Sequence, residues 1–207
     1  MKPSLVLFDF DGTLADSFPF FLQAQGVLAR RHGFDPIHED RVEELRRLGP
    51  RELMRELAFP AWKLPIVVAD FIALMRDSPP VPLFPGVAEM LTRLRANGAR
   101  LGILTSNSID NVRRVLGSEL ADAIEFYDGG ANMLGKHRRL ARMVRQARVP
   151  AAQAIYIGDQ LSDGEAARRA GVPFGAVAWG YAHADALRAV RPDEFFETVG
   201  ELGRLAG

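Results

Sequence analysis

The segment at residues 5–14, with the sequence LVLFDFDGTL, decides the fold and points to the chemistry. An apolar run of this length that ends near a glycine is typical of a strand buried on both faces of a sheet. Two acids, Asp9 and Asp11, stand at its end, where they would repel each other and lose hydration. A divalent cation would offset both penalties, and Mg²⁺ prefers carboxylates together with phosphate oxygens. Gly12 allows a sharp turn, and Thr13 offers an anion a hydroxyl and an N–H.

Residues 16–80 have the pattern of a small helical unit inserted after this first strand. Apolar residues recur at helical spacing in four stretches, at residues 18–31, 41–48, 51–57 and 64–75. A proline-rich segment at 77–82 follows the last of them. The stretch at 64–75 is apolar nearly all round, which is typical either of the centre of a small bundle or of an interface. We therefore predict two units, a helical one at 16–80 and a core at 1–15 and 81–207.

The rest of the chain alternates between predicted strands and helices. Strands are predicted at residues 4–10, 100–104, 123–127, 154–157 and 174–178, and helices at 86–97, 110–116, 136–147 and 164–170. This alternation predicts the α/β class, with a Rossmann-like parallel sheet as the middle of three layers. In such a sheet, ligands bind beyond the carboxyl ends of the strands.

Polar side chains gather at those strand ends. Thr105 follows one apolar strand and Asp159 follows another, as Asp9 follows the first. A threonine hydroxyl and a free N–H at a strand end can hold a phosphate oxygen. Ser106 and Asn107 are candidates for the same phosphate contact, although both are also good N-caps for the next helix.

Two more charged residues are placed where chemistry would need them. Lys136 opens a predicted helix, a position where the macrodipole disfavours a cation unless an anion lies nearby. Asp163 stands four residues after Asp159, where it can cap the following helix.

Four segments of the chain resemble, in order, the four motifs of the haloacid dehalogenase superfamily, most of whose members are Mg²⁺-dependent phosphatases. They are Asp9-x-Asp11-Gly12-Thr13-Leu14, Thr105, Lys136 and Gly158-Asp159-x-x-x-Asp163. The similarity runs from residue 5 to about residue 181 and covers most of the chain.

The resemblance implies a role for each motif residue. Asp9 would be the nucleophile and Asp11 the general acid and base. Thr105 would hold the phosphate, and Lys136 would neutralise charge on the phosphoryl group and the nucleophile. Metal ligation would fall to Asp9, Asp11 and Asp159, with Asp163 as a further ligand or as an acceptor that orients metal-bound water.

The inserted helices resemble the helical cap that one large branch of the superfamily carries between its first two motifs. The loop Gly49-Pro50-Arg51 is similar to the specificity loop of that branch. Arg51, with Arg46 or Arg47, would then meet a substrate carboxylate, although a solvated helix face explains these arginines equally well.

The expected function is therefore Mg²⁺-dependent hydrolysis of a small phosphate monoester, and the branch resembles phosphoglycolate phosphatases. Two alternatives stay open: a sugar phosphomutase of the same branch, and a non-catalytic phosphate-binding module. A dehalogenase is disfavoured, because those members lack the second aspartate that is present here as Asp11.

The whole composition limits the other classes of function. Among 207 residues, 26 are basic and 26 acidic, so there is no electrostatic footprint for nucleic acid or an anionic membrane. Cysteine is absent, which excludes disulfides and a thiolate metal site or nucleophile. The acids at 9 and 11 interrupt the first apolar run too early for a signal peptide. We expect a cytoplasmic monomer or homodimer whose partner is a small phosphorylated metabolite.

Overall fold

The structure is a computed structural model that describes residues 2–130 and 135–206. Its centre is a six-stranded sheet in the order β3-β2-β1-β4-β5-β6, and every neighbouring pair is parallel. The strands are β1 Leu5–Phe8, β2 Arg100–Leu104, β3 Phe126–Asp128, β4 Ala154–Gly158, β5 Phe174–Val177 and β6 Glu194–Phe196. Because β1 lies between β2 and β4, the loop that follows Phe8 emerges at the middle of the sheet edge.

Helices precede, separate and cover these strands. They are α1 Phe18–His32, α2 Val42–Leu45, α3 Pro50–Glu56, α4 Leu64–Arg76, α5 Val87–Ala96, α6 Ile109–Ala123, α7 Lys136–Ala147, α8 Leu161–Ala170 and α9 Ala184–Ala189. Short 3₁₀ segments lie at Glu39–Arg41, Ala61–Lys63, Ala151–Gln153 and Val199–Ala206. Helices therefore pack on both faces of a parallel sheet, which confirms the predicted α/β class.

Side-chain alternation along β1 divides the core into two layers. Val6 and Phe8 pack with the buried residues of α5 and α6 on one face of the sheet. Leu5 and Leu7 pack with those of α7 and α8 on the other. All four side chains are fully buried, as expected for a central strand covered on both faces. This packing holds the end of β1, and with it the first candidate acid, in a rigid frame.

The helices α1 to α4 follow β1 and precede α5. The chain leaves the core and returns to it at adjoining points: Ala15 and Leu83 form an antiparallel bridge. The N–H of Asp16 donates to the carbonyl of Pro82 at 2.8 Å, and that of Phe84 to the carbonyl of Leu14 at 2.9 Å. Adjoining entry and exit points support the proposal that residues 16–80 form a separate unit.

The end of α4 is fastened to α6 by Arg114. Its guanidinium donates to the carbonyls of Met75 and Arg76 at 2.8 Å and of Ser78 at 3.2 Å. These carbonyls belong to the last turn of α4 and the residues after it, where no further helical N–H is available. One side chain of the core thus holds the final connection of the helical unit.

Several predicted boundaries differ from the observed ones. The first strand ends at Phe8 rather than at residue 10, so Asp9 and Asp11 lie in the loop after it. The strand predicted at 123–127 is observed at Phe126–Asp128, because α6 continues through Ala123 across a kink at Gly117. The last elements, α9, β6 and the final 3₁₀ segment, were not predicted.

Within the described residues no single helix is long and apolar enough to cross a membrane. A bent pair formed by Pro50–Glu56 and Ala61–Arg76, with an angle of 116°, passes that test on length and composition together.

Candidate active site

Three carboxylates converge at the carboxyl ends of the two central strands. Asp9 follows β1, Asp159 follows β4, and Asp163 lies in the first turn of α8. One carboxylate oxygen from each lies within 4.8 Å of the others. Asp9 is 5% exposed, and the other two are fully buried.

Lys136 supplies the positive charge of this cluster. Its ammonium group lies 2.7 Å from Asp9 Oδ2 and 2.6 Å from Asp163 Oδ1. Burial alone would lower the pKa of Lys136, but the charges of Asp163 and Asp9 outweigh it and raise that pKa above its ordinary value. The ammonium group is therefore charged at neutral pH. Asp9 and Asp163 are the nearby anions that offset the unfavourable position of a cation at the start of α7.

The cluster has the charge and donor set of a site for a divalent cation. Burial, with the neighbouring charge of Asp163 adding to it, raises the pKa of Asp9 to about 7, while Lys136 opposes that shift. Burial and the charges of Asp163 and Asp9 also raise the pKa of Asp159 well above its usual range. With a divalent ion bound, three ionised carboxylates beside one ammonium group would carry two net negative charges, which matches an ion that prefers oxygen ligands.

The side chain of Asp11 lies apart from this cluster of carboxylates. Its Oδ2 accepts a hydrogen bond from the Asn107 amide at 2.9 Å. Its Oδ1 is buried and has no hydrogen-bond partner among the described residues. Burial raises the pKa of Asp11, although the bond from Asn107 opposes that shift. A carboxyl group with a raised pKa and one unpartnered oxygen suits proton transfer to a bound molecule.

Gly12 and Thr13 build the loop around Asp159. The N–H of Gly12 donates to the carbonyl of Ala15 at 2.9 Å, and that of Thr13 to the carbonyl of Phe10 at 3.2 Å. The Thr13 hydroxyl donates to Asp159 Oδ1 at 2.8 Å. The Thr13 hydroxyl thus positions a carboxylate, and the phosphate contacts expected of Gly12 and Thr13 stay predictions.

Gly12 is required at its position in this loop. It has a φ of 78°, in the left-handed region, and a Cβ atom there would collide with Asp159 and Tyr181.

The second predicted motif lies beside the first. Thr105 follows β2 and is 2% exposed, and its hydroxyl accepts from the N–H of Asn107 at 3.0 Å. Asn107 directs its amide to Asp11 and to the sulfur of Met75, at 2.9 and 3.1 Å. Ser106 lines the cavity above the loop. The Asn107 amide therefore holds Asp11, and its expected phosphate contact stays a prediction.

Two further predicted residues have clear positions. Asp163 accepts from the N–H of Gln160 at 3.0 Å, so it caps α8 while it pairs with Lys136. The predicted capping role of Asp163 is therefore observed, and its role at a metal site stays a prediction. Arg51 lies on α3, is exposed, and is not one of the residues that line the cavity.

Sequence reasoning missed the residues that hold Asp159 from the side of β5. The N–H of Tyr181 donates to Asp159 Oδ2 at 2.8 Å, and the Tyr181 hydroxyl bonds with Ser17 at 3.1 Å. Arg46, one of two arginines that could accompany Arg51 at a substrate carboxylate, donates to the carbonyls of Gly180 and Tyr181 at 2.8 and 2.9 Å. The available signal was the segment Trp179-Gly180-Tyr181 after a predicted strand, since strand ends meet at one edge of the sheet.

Comparison with known families gives one match over most of the chain. Residues 6–177 match the family model described as haloacid dehalogenase-like hydrolase.

Curated relatives match over nearly the same range. A phosphoglycolate phosphatase from Synechococcus elongatus is 35% identical over 199 residues, which cover 95% of this chain and 94% of that protein. An N-acetylmuramic acid 6-phosphate phosphatase from Pseudomonas aeruginosa is 26% identical, over 88% of this chain and 85% of that one. Among solved structures, CbbY from Rhodobacter sphaeroides in complex with phosphate superposes with a TM-score of 0.72, at 22% identity, over 97% of this chain and 96% of its own.

Proposed function

Because this chain belongs to the haloacid dehalogenase-like hydrolases and is a phosphatase, we propose that it hydrolyses a small phosphate monoester through an aspartyl phosphate on Asp9, with Mg²⁺ as cofactor. The family membership confirms the resemblance seen in the four motifs. The observation that carries the proposal is the contact of Asp9 with Lys136 inside a cluster of three buried carboxylates. Folding alone does not favour such a cluster, because each buried carboxylate loses hydration and repels the others.

In the first half-reaction, a carboxylate oxygen of Asp9 attacks the phosphorus atom of the ester. The new O–P bond forms as the bond between phosphorus and the alcohol oxygen breaks. Asp11 donates its proton to the departing oxygen, and the leaving group departs as a neutral alcohol. Lys136 stabilises the negative charge that gathers on the phosphoryl oxygens, because its ammonium group is buried beside the attacking carboxylate.

In the second half-reaction, water opens the aspartyl phosphate. Asp11, now ionised, accepts a proton from the water as its oxygen attacks phosphorus, and Asp9 is released. Asp9, Asp159 and Asp163 would hold Mg²⁺ together with the backbone carbonyl of Asp11, and the bound ion would offset phosphoryl charge.

The phosphate contacts are assigned to the end of β2. Thr105 and Ser106 lie there, next to the loop of β1, and we propose that they bind the phosphoryl oxygens. Gly12, Thr13 and Asn107 support the site by positioning Asp159 and Asp11. Residues 16–80 act as a cap over a core made of residues 1–15 and 81–207, and closure of such a cap excludes water from the reaction.

The names of the relatives make phosphoglycolate the first ester to assay. Purified protein is incubated with a panel of phosphorylated metabolites, with Mg²⁺ and with a chelator, and free phosphate is measured. We expect phosphate release that depends on Mg²⁺. Isomerisation of a hexose phosphate without release would show a phosphomutase instead. Absence of turnover on every ester, with and without Mg²⁺, would show a binding module.

A further inference from the structure

A cavity of about 330 Å³ lies between the catalytic loop and the helices α1 to α4. All four helices contribute to its walls, and twenty of its twenty-six lining residues are apolar. Five of these are phenylalanines, at positions 18, 21, 34, 59 and 71. At the end nearest the sheet, the lining residues include Asp11, Ser106 and Gln160. An apolar chamber therefore opens on the proposed proton donor.

The polar side chains of this chamber are largely engaged with the protein itself. Arg46 is the one cation among the described residues that line it, and it donates to two backbone carbonyls and to Glu43. Gln25 accepts from the N–H of Ile37 at 2.9 Å and donates to its carbonyl at 3.0 Å. A substrate carboxylate placed here would find no uncommitted cation among these residues, and burying an unpaired charge is strongly unfavourable.

The geometry of the reaction decides which part of the substrate enters the chamber. The phosphoryl group must lie at Asp9, and the bond that breaks points towards the residue that protonates the leaving oxygen. That residue is Asp11, whose Oδ1 is buried without a partner among the described residues. The leaving group therefore extends from Asp11 into the chamber.

From these observations we infer that the leaving group is apolar: the substrates are phosphate monoesters of alcohols that carry an aryl or alkyl group. This inference rests on the proposed function, since it concerns the same phosphatase site. An apolar cavity of roughly 150 Å³ holds benzene. The volume observed here accommodates a ring with a side chain, or a linear alkyl chain, without a matching polar group.

The inference is tested with ethyl, butyl and hexyl phosphate beside phosphoglycolate, in the presence of Mg²⁺. The alkyl leaving groups differ little in basicity, so the chemical step is nearly constant along the series. We expect kcat/KM to rise about fourfold for each added methylene until the chamber is full. Phosphoglycolate should then be a poorer substrate than butyl phosphate.

A matched pair of variants tests whether the chamber is responsible. Val68 lines it, whereas Ile66, two residues earlier on α4, is 52% exposed and lies outside it. Val68→Arg should abolish the gain with chain length, while Ile66→Arg should keep it. Val68→Phe adds no charge but fills part of the chamber, so the best substrate should be an ester with a shorter alkyl chain. This variant keeps the test valid if Val68→Arg does not fold.

The possible failures are distinguishable. If kcat/KM does not change along the alkyl series, or if phosphoglycolate is hydrolysed as well as butyl phosphate or better, the inference of an apolar leaving group is wrong. The phosphatase assignment then still stands. Equal chain-length gains in Val68→Arg and Ile66→Arg also overturn the inference of an apolar leaving group. Failure of the unaltered protein on every ester overturns the proposed function, and the inference fails with it.

Discussion

Three buried carboxylates lie in one cluster beside the ammonium group of Lys136, and each is held by its own partners. Asp9 and Asp163 contact Lys136 directly, whereas Asp159 is held by the Thr13 hydroxyl and the Tyr181 N–H. Removing one partner of such a buried group leaves the others without compensation, so substitutions here act on both charge and position.

Replacement of Asp9 by asparagine should abolish turnover and preserve the fold. The two side chains have the same shape, and Lys136 keeps its ion pair with Asp163 at 2.6 Å. Phosphate release should fall by at least about a thousandfold, because an amide is not a nucleophile. Asp128→Asn is the control, since Asp128 ends β3 and pairs with Arg139 and Arg142 instead. Mg²⁺-dependent turnover in Asp9→Asn above a hundredth of normal would contradict the assignment.

Asn107 is expected to act through Asp11, and the choice of substrate can show it. Asn107→Ala removes the 2.9 Å bond that fixes the proposed proton donor. Turnover of an alkyl phosphate should fall about 10- to 100-fold, whereas 4-nitrophenyl phosphate, whose leaving group needs no proton, should lose less than about threefold. Asn97→Ala, which changes an exposed asparagine just after α5 and leaves the bond to Asp11 in place, serves as the control. An equal loss on both esters would indicate a structural role only.

At the scale of elements, one set of side-chain contacts joins the end of α4 to α6 and to Asn107. Arg114 binds three carbonyls at the end of α4, and the sulfur of Met75 accepts from Asn107 and Asn111 nearby. The last turn of α4 is thereby joined to the same asparagine that holds Asp11. The position of the helices and the position of the proton donor share one set of bonds.

Arg114→Ala should lower the free energy of unfolding by about 1–3 kcal/mol, because three carbonyls lose a charged donor. The melting temperature should then fall by about 2–4 °C for each kcal/mol. Arg114→Lys keeps the charge but lacks the planar fork, and should recover part of the loss. Thermal unfolding followed by circular dichroism checks this, and an unchanged melting temperature in Arg114→Ala would disprove the role of the contact.

The sequence was sufficient for the elements with strong local signals. The helix predicted at 136–147 and the strand at 100–104 are observed with those bounds, as α7 and β2. The sequence was insufficient to predict the full length of α6, because a glycine such as Gly117 is typical of a helix end. In the structure the helix bends at Gly117 and continues to Ala123. β6 has three residues, and only Phe196 is fully buried, so it carries almost no alternation to detect.

The residues of the candidate site also differ in how well the sequence predicts them. The acids and Lys136 could be named because they follow strands or open helices in a fixed order. The bonds of Asn107 to Asp11 and of Tyr181 to Asp159 could not, since they join residues 96 and 22 positions apart. Such contacts depend on how loops fold over the sheet edge, which local patterns do not encode.

At the scale of the whole molecule, the acid cluster should make stability depend on pH when no metal is bound. Burial raises the pKa of Asp9 from 3.8 to about 7, so the folded state favours its neutral form. The stabilisation is present at low pH and is lost as pH rises through about 7, because the unfolded chain then releases a proton that the folded chain retains.

The melting temperature with a chelator should therefore fall between pH 5 and pH 7.5. Saturating Mg²⁺ should reverse most of that fall, because an ion that binds only the folded state stabilises it. Asp9→Asn should show a weaker dependence on pH. A rise in melting temperature with pH in the metal-free protein would refute the prediction.

The bridge between Ala15 and Leu83 has a further consequence. The helices α1 to α4 depart from the core and rejoin it across a single seam of paired backbone. A graft cut at that seam should exchange one set of helices for another, provided that the new set keeps the contact of Met75 with Asn107, which holds Asp11. Substitutions that alter substrate choice could then be confined to the inserted helices, while the acidic residues of the core stay unchanged.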